Sequence, residues 1–413
     1  MQPSPKLEYR YVRRRWHVLF AVVDAIGAWC ANLWARVAGR SPEGSIPREA
    51  ARVLVVQLDH LGDAVMTTSI LPALRRQFPQ AQIDVLAAPW NGDVFAGRTE
   101  IHRIYLSRHN RFRRGGAWLW PFSLVYWACH LRRRRYDVAI DVRGDFTIGL
   151  LMRLSGARRR VGWPCAGGGF LLTDRVDYVA GRHEVESRHA VLRALGVEVR
   201  HPAAPTFAPT TDADRFITHM LGDFRRGVRP LLVFHIGAGT AAKTWPAEHW
   251  RELIGRSIVE LDARILLVGG GSEVDTARAI THDQFWPGVM DWTGRLTLDH
   301  LAALARRASL FVGADSGPAH LAAAAGAEVL VLFSGAADPR QWRPWGDRVR
   351  VLKHDVPCAP CFLRNCRFAA HPCLTELLPT AVVEAMRDLI DAPQIVPMPK
   401  YLAGRVERPG EAT

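Results

Sequence analysis

The chain has 413 residues, 48% of them hydrophobic, and a formal net charge of +14. That length exceeds one ordinary core, so two domains are the default, and the apolar content excludes a disordered chain. The seven Cys, an odd number with four between 358 and 373, argue against a secreted disulfide scaffold. Only four of the 54 basic residues are Lys, so the charge is an arginine charge. It reads either as coding bias or as attraction to anionic partners such as phospholipid, phosphorylated glycolipid or nucleic acid.

No cleavable signal peptide is expected. Residues 16–34 form an apolar segment preceded by Arg13, Arg14 and Arg15. Asp24 and Asn32 interrupt it, and Arg36 and Arg40 close it. A helix lying in a membrane interface, anchored by Trp16, Trp29 and Trp34, fits this pattern better than a span. The alternative is a helix packed on the protein's own surface. Residues 41–49 (SPEGSIPRE) read as a linker.

A β/α alternation follows. Residues 53–58 (VLVVQL) predict a strand covered on both faces, 64–78 a helix, and 82–87 and 136–141 further strands. Basic patches at 103–114 and 132–135 lie among Trp118, Trp120 and Trp127. Residues 201–211 are rich in Pro, Ala and Thr and suit an interdomain segment. A second alternation has strands at 231–236, 264–268, 310–312 and 329–333, and helices at 247–261 and 298–307. This layout predicts two doubly wound α/β domains, whose ligands bind beyond the carboxyl ends of the strands.

The motifs fall at those ends. In Leu58-Asp59-His60-Leu61-Gly62-Asp63, Gly62 permits a sharp turn and Asp63 starts a helix. Asp63 is either a plain N-cap or a general base for a sugar hydroxyl, with Asp59 and His60 near enough to compete for that role or orient it. His235 to Thr240 (HIGAGT) with Lys243 gives a glycine loop, including Gly237, and a lysine suited to phosphate, though the spacing is not that of a Walker loop. Pro246 reads as the first residue of the next helix. Gly269, Gly270 and Gly271 allow close approach of a ribose or base, with Glu273 or Asp275 for its hydroxyls. The run 312–320 (VGADSGPAH) places a tight polar turn between strand and helix. Free amides at the helix start suit a phosphate, Gly317 allows close approach, Ser316 adds a hydroxyl, and Asp315 and His320 reach sugar hydroxyls or a diphosphate.

Cys358, Cys361, Cys366 and Cys373 are spaced to hold a zinc or an iron–sulfur cluster. Reduced packing thiols and a regulatory disulfide are the alternatives, and His371 is a further ligand candidate. Any metal there is expected to be a structural zinc, because the cluster lies away from the sheet mouths.

Taken together, these residues resemble glycosyltransferase family 9, the lipopolysaccharide heptosyltransferase family. The resemblance runs over residues 53–350 and rests on LDHLGDAVMTTSILPALRRQFP, IGAGTAAKTWPAEHW and the stretch from DWTGRLTLDHLAALARRASLFVGADSGPAHLAAAAG through FSGAADPRQWRPWG. It implies a GT-B fold of two Rossmann-like domains facing across a cleft. Residues 51–210 would bind acceptor and 211–380 the nucleotide-sugar, flanked by an N-terminal helix and linker (1–50) and a C-terminal helix and tail (381–413). The implied reaction is an inverting transfer from ADP-heptose to an acidic lipopolysaccharide core acceptor, with another nucleotide-sugar and another envelope glycan as the alternative.

The resemblance makes Asp63 the base and Lys243 the donor-phosphate contact. It makes Asp315, Ser316, Gly317 and His320 the loop that holds sugar and diphosphate, and Thr293 and Gly294 a nucleotide-edge pair, with Glu273 near the nucleotide-contacting acid. No cofactor is required for catalysis in this scheme. The enzyme is expected at the cytoplasmic face of the inner membrane, peripherally bound. Nucleic acid is not expected as a partner, since the basic runs lack regular aromatic interleaving. A dehydrogenase is disfavoured because the loop after the first strand lacks G-x-G-x-x-G and carries acids where a pyrophosphate would sit.

Overall fold

The computed structural model describes residues 17–37, 50–108, 119–225, 228–281 and 286–391. The linker at 41–49, most of the basic patch after Arg108, and the residues Trp16 and Trp118 lie outside them. The chain forms two six-stranded sheets with every strand pair parallel. The first contains β1 (Arg52–Gln57), β2 (Gln82–Ala87), β3 (Arg103–Leu106), β4 (Val138–Asp141), β5 (Arg159–Gly162) and β6 (Asp174–Arg175), in the order 3-2-1-4-5-6. The second contains β7 (Leu231–His235), β8 (Arg264–Val268), β9 (Val289–Asp291), β10 (Leu310–Ala314), β11 (Val329–Phe333) and β12 (Val349–Lys353), in the order 12-11-10-7-8-9. Counted from its own first strand, the second sheet repeats the order of the first. Both are doubly wound sheets.

The helices are α1 (His17–Val37), α2 (Leu61–Thr67), α3 (Leu71–Gln77), α4 (Trp120–Arg132), α5 (Phe146–Leu154), α6 (Glu184–Ala194), α7 (Thr211–Leu221), α8 (Ala247–Leu261), α9 (Val274–Thr281), α10 (Leu298–Ala305), α11 (Gly317–Ala324), α12 (Pro339–Trp342), α13 (Pro372–Thr375) and α14 (Pro379–Asp391). Central strands such as LLVFH in β7 are buried throughout, as expected where helices cover both sheet faces.

Two details depart from the sequence expectation. The helix expected at 64–78 breaks into α2, one 3-10 turn and α3. The Thr68 and Ser69 hydroxyls donate back to the carbonyls of Val65 and Met66, competing with the helical ladder, and Pro72 brings no N–H. Pro246 caps α8 from outside, in extended conformation, rather than opening it as its first residue. The C-terminal α14 is no separate appendage: Val382, Val383 and Met386 are part of the core that covers the second sheet.

The N-terminal helix α1 packs on the first domain. The Asp24 carboxylate is 7% exposed and accepts the Gly168 N–H at 2.6 Å. The Phe20 ring meets Phe146 edge-on at 6.0 Å, and Gly27 leaves room for the Phe170 ring, which a Cβ would approach to 2.5 Å. Val18, Leu19, Val22, Ile26, Trp29 and Leu33 are left exposed along the rest of the helix. Among the described residues, no helix is long and apolar enough to cross a membrane.

Candidate active site at the domain interface

The first helix of each domain's switch region meets the other. α2 follows β1 and α11 follows β10, and the two touch through glycines. A Cβ on Gly317 would lie 2.7 Å from the Leu61 Cβ, and one on Gly62 would lie 3.0 Å from the His320 ring. Neither glycine has a positive φ. The sequence reading gave Gly62 a turn and Gly317 a ligand approach; their structural role is helix-on-helix contact across the two domains.

Asp63 sits in this contact and is 7% exposed. It is not the N-cap of α2; that position is His60, and the Asp63 carboxylate turns to Arg188 on α6 instead. Arg188 Nη2 donates to Asp63 Oδ1 at 2.7 Å, and Nη1 donates to Glu184 Oε2 at 2.8 Å. Burial alone would push Asp63 up, but Arg188, Arg143 and His60 outweigh it and hold the carboxyl below its ordinary value. Four residues earlier, Asp59 is fully buried, with Arg143 Nε 2.7 Å from Oδ2 and His60 Nε2 3.4 Å from Oδ1. There burial wins, and Asp59 is raised. Asp141, at the end of the neighbouring β4, is pushed up to about 7 by burial while it accepts the N–H groups of Arg143 and Gly144. The mouth of the first sheet thus separates its carboxylates by environment, Asp63 held below its ordinary value and Asp59 and Asp141 above theirs.

Across the interface, Asp315 ends β10's turn and takes Lys243 Nζ on Oδ2 at 2.5 Å. Lys243 arrives on a short 3-10 turn after β7 and stays a quarter exposed. His320, in the first turn of α11, is 6% exposed; burial lowers it below its usual range, although Asp315 and Asp63 both pull it up. Burial thus favours its neutral form, and the ring lies between the acid of one domain and the ion pair of the other. The Ser316 hydroxyl is buried and makes no hydrogen bond, although Ser316 is the N-cap of α11.

Further along the same sheet mouth, Gly237, Glu273, Thr293 and Gly294 come together. A Cβ at Gly237 would crowd the Glu273 side chain at 3.0 Å and His235 at 3.1 Å, and Glu273 and Thr293 close in on Gly269. Gly294 has φ +77 and donates to Gly269 O at 2.9 Å, so only glycine suits that turn. The Thr240 and Thr293 hydroxyls are buried without a hydrogen-bond partner. Glu273 differs from expectation: its oxygens accept the Gly270 N–H at 2.7 Å and the Ser272 hydroxyl at 2.6 Å, so it first stabilises its own turn. Asp275 pairs with Arg278 on the exposed side of α9.

The four cysteines are neighbours but do not form the expected set. Cys373 is buried against Gly335 at the start of α13, whereas Cys358, Cys361 and Cys366 are half-buried on the preceding loop. Burial raises the Cys373 thiol, and the other three add to the effect. Among the described residues, no three His, Cys, Asp or Glu side chains stand together so as to hold a metal ion. The zinc expectation is therefore not supported by this arrangement. The loop does have a neighbour of consequence: Arg364 O accepts the Ala242 N–H, behind Lys243.

The profile of glycosyltransferase family 9 (heptosyltransferase) matches residues 127–371, more than half of the chain. The chain belongs to glycosyltransferase family 9. Lipopolysaccharide heptosyltransferase 3 of Escherichia coli is 27% identical over 70% of this chain and 84% of its own length. Lipopolysaccharide heptosyltransferase 1 of Pseudomonas aeruginosa is 26% identical over 83% of this chain and 99% of its own. Among solved structures, the E. coli ADP-heptose lipopolysaccharide heptosyltransferase II superposes with a TM-score of 0.67 at 21% identity, covering 82% of this chain and 98% of that one. A family 9 glycosyltransferase from Veillonella parvula gives 0.69 at 19% identity, covering 85% and 99%. The fold is GT-B, and the family 9 protein is a glycosyltransferase.

Arg188, Arg143 and Glu184 were not anticipated from the sequence. Glu184 and Arg188 are four apart on a helix, which is a visible pairing signal. Nothing local shows that the same guanidinium reaches Asp63 from 125 residues away.

Proposed function

We propose that this family 9 glycosyltransferase moves heptose from ADP-heptose to a lipopolysaccharide core acceptor with inversion, residues 51–210 holding the acceptor and 211–380 the donor. The observation that carries the reading is the meeting of the ionised Asp63 with the Lys243–Asp315, Ser316 and His320 group across the interface. The names of the relatives support the heptose and the core acceptor.

In this reading Asp63 takes the proton of the acceptor hydroxyl as it attacks the anomeric carbon from the face opposite the diphosphate. Lys243 leaves Asp315 for the phosphate, where an ammonium acts as a point charge. The amides around Ser316 and Gly317 and the Ser316 hydroxyl stabilise the charge that builds on the leaving group. Neutral His320 offers a hydrogen bond to the sugar or diphosphate. Gly237, Glu273, Thr293 and Gly294 border the nucleotide, with the Thr240 and Thr293 hydroxyls ready to bond it. These groups supply the charge stabilisation, so the scheme needs no metal or cofactor. With Asp63 only 7% exposed, acceptor enters as the domains part, and their return excludes water from the donor.

The apolar stripe of α1, backed by the arginine charge, suits the anionic cytoplasmic surface of the inner membrane, where such an acceptor is anchored. Purified protein offered a panel of nucleotide-sugars with core-truncated lipopolysaccharide should turn over with ADP-heptose. Turnover with UDP-sugars alone would overturn the donor assignment. Deleting residues 1–45 should release the folded protein from anionic vesicles; a truncated protein that still sediments with them would overturn the membrane role of α1.

A further inference from the structure

We propose that α6 is a positioning relay: contact of the second domain at Gln341 is carried through Glu184 and Arg188 to the Asp63 carboxylate. The proposal rests on Asp63 being the base. Glu184, Arg188 and Gln341 are 2%, 1% and 1% exposed, so they form a closed line of side chains rather than a solvated surface network. Gln341, on α12 of the second domain, donates from Nε2 to Glu184 Oε1 at 2.8 Å and to the Tyr178 hydroxyl at 2.6 Å. Tyr178 in turn donates to the same Glu184 oxygen. The other Glu184 oxygen holds Arg188, whose second nitrogen holds Asp63. Arg188 Nε, 3.2 Å from the Thr67 hydroxyl, fixes the plane of the fork on α2. Beside this line, His183 Nε2 lies 2.9 Å from Arg343 O, and its ring meets Trp345 at 4.7 Å. The segment from Gln341 to Trp345 therefore grips the start of α6.

One guanidinium serves two buried carboxylates, so the two compete for it. Donors from Gln341 and Tyr178 satisfy Glu184, so that Arg188 favours Asp63. Parting of the domains removes Gln341 from Glu184, which then draws harder on Arg188. Asp63 loses part of the cation that keeps it ionised and aimed. The base is set when the domains are together and slack when they are apart, so proton removal is tied to the closed state. Asp63 is also faced by Arg143, His60, Asp59 and His320; His320 is backed by Asp315 and Lys243 and in turn faces Arg188 and His183.

The test compares pH profiles of kcat and kcat/KM for the full chain, with ADP-heptose and core-truncated lipopolysaccharide, alongside ADP affinity and thermal midpoint. Gln341→Ala should lower kcat about tenfold and move the acidic limb to higher pH, beyond what its loss of thermal midpoint accounts for, with ADP affinity near that of the parent. Arg188→Lys keeps the charge but loses the fork, so kcat should fall while the acidic limb stays in place. A Gln341→Ala variant with parental kcat and an unmoved limb overturns the relay. So does one whose kcat falls only in step with its midpoint. Asp63→Asn separates the two claims: turnover retained by Asp63→Asn removes the base reading itself, whereas an inert Asp63→Asn beside an unaffected Gln341→Ala removes the relay alone.

Discussion

At the mouth of the first sheet the principal charged side chains already have protein partners: Asp63 has Arg188, Asp59 has Arg143, and Glu184 shares the Arg188 fork. At the mouth of the second sheet, laid out in the same strand order, one half-open pair (Lys243 with Asp315) stands among hydroxyls of Thr240, Thr293 and Ser316 that bond to nothing in the protein. Topology cannot account for the difference. The first mouth fixes the ionisation and aim of groups in advance, which suits a base that must act without reorganising. The second presents donors and acceptors that a ligand's oxygens would complete, which suits binding. On the proposed reading, one fold used twice is divided between chemistry and recognition.

The sharpest way to break this contrast is Asp63→Asn. A lost general base costs on the order of 10² to 10⁴ in kcat, while ADP affinity, which the proposal assigns to the other domain, should hold. The variant should fold, because Arg188 keeps Glu184 as its counter-charge. Turnover measured beside ADP titration decides it, and retained turnover would take the chemistry out of the first mouth. Lys243→Ala should act in the opposite sense. It should weaken ADP-heptose binding by about 10- to 100-fold, the range for a charge-assisted hydrogen bond, with smaller effects on donor-saturated kcat. Unchanged affinity would make Lys243 an incidental partner of Asp315.

Gly317→Ala tests the seam between the two mouths. The added Cβ, 2.7 Å from the Leu61 Cβ, forces α2 and α11 apart without adding any charge. Overpacking of this kind costs about 1–3 kcal/mol, so kcat should fall by roughly tenfold or more through misplacement of Asp63 from the donor group. Because the contact atom is a Cβ, Leu61→Ala relieves only its outer carbons, and Leu61→Gly in the double variant should restore more. Full activity of Gly317→Ala would mean that the closeness of the helices has no bearing on the reaction.

Much of this was legible in the chain, for a physical reason. Runs such as VLVVQL and LLVFH are apolar on both faces because both faces are buried, and they predict parallel strands directly. The turns that follow them carry their polar residues at strand ends, so Asp63, Lys243, Asp315 and His320 could be named before their positions were known. Short edge strands such as β3, β6 and β9 could not, since two to four residues half-open to solvent leave little pattern. Nor could the roles of Gly62 and Gly317, which depend on a helix from the other domain. Glu184 to Gln341 spans 157 positions, and no local rule connects them.

The smallest expected effect distinguishes two histidines, one at the seam and one inside the second domain. Burial lowers both His183 and His235 to about 4. Unfolded, each would titrate near 6.5. As pH falls below that value the unfolded chain takes up the proton first, so their contribution to stability is whole above about 6.5 and declines as pH drops towards 4. His183 also accepts the Val185 N–H at the start of α6. His183→Gln should therefore lower the thermal midpoint at pH 7.5, by a cap's worth of about 1 kcal/mol, yet make its decline between pH 7 and 5 shallower. His235→Gln should flatten the same curve. Only the His183 variant should also change how kcat depends on pH, because only that ring touches the segment that grips α6. Equal slopes for His183→Gln and the parent would mean that His183 does not carry the acid sensitivity of the seam.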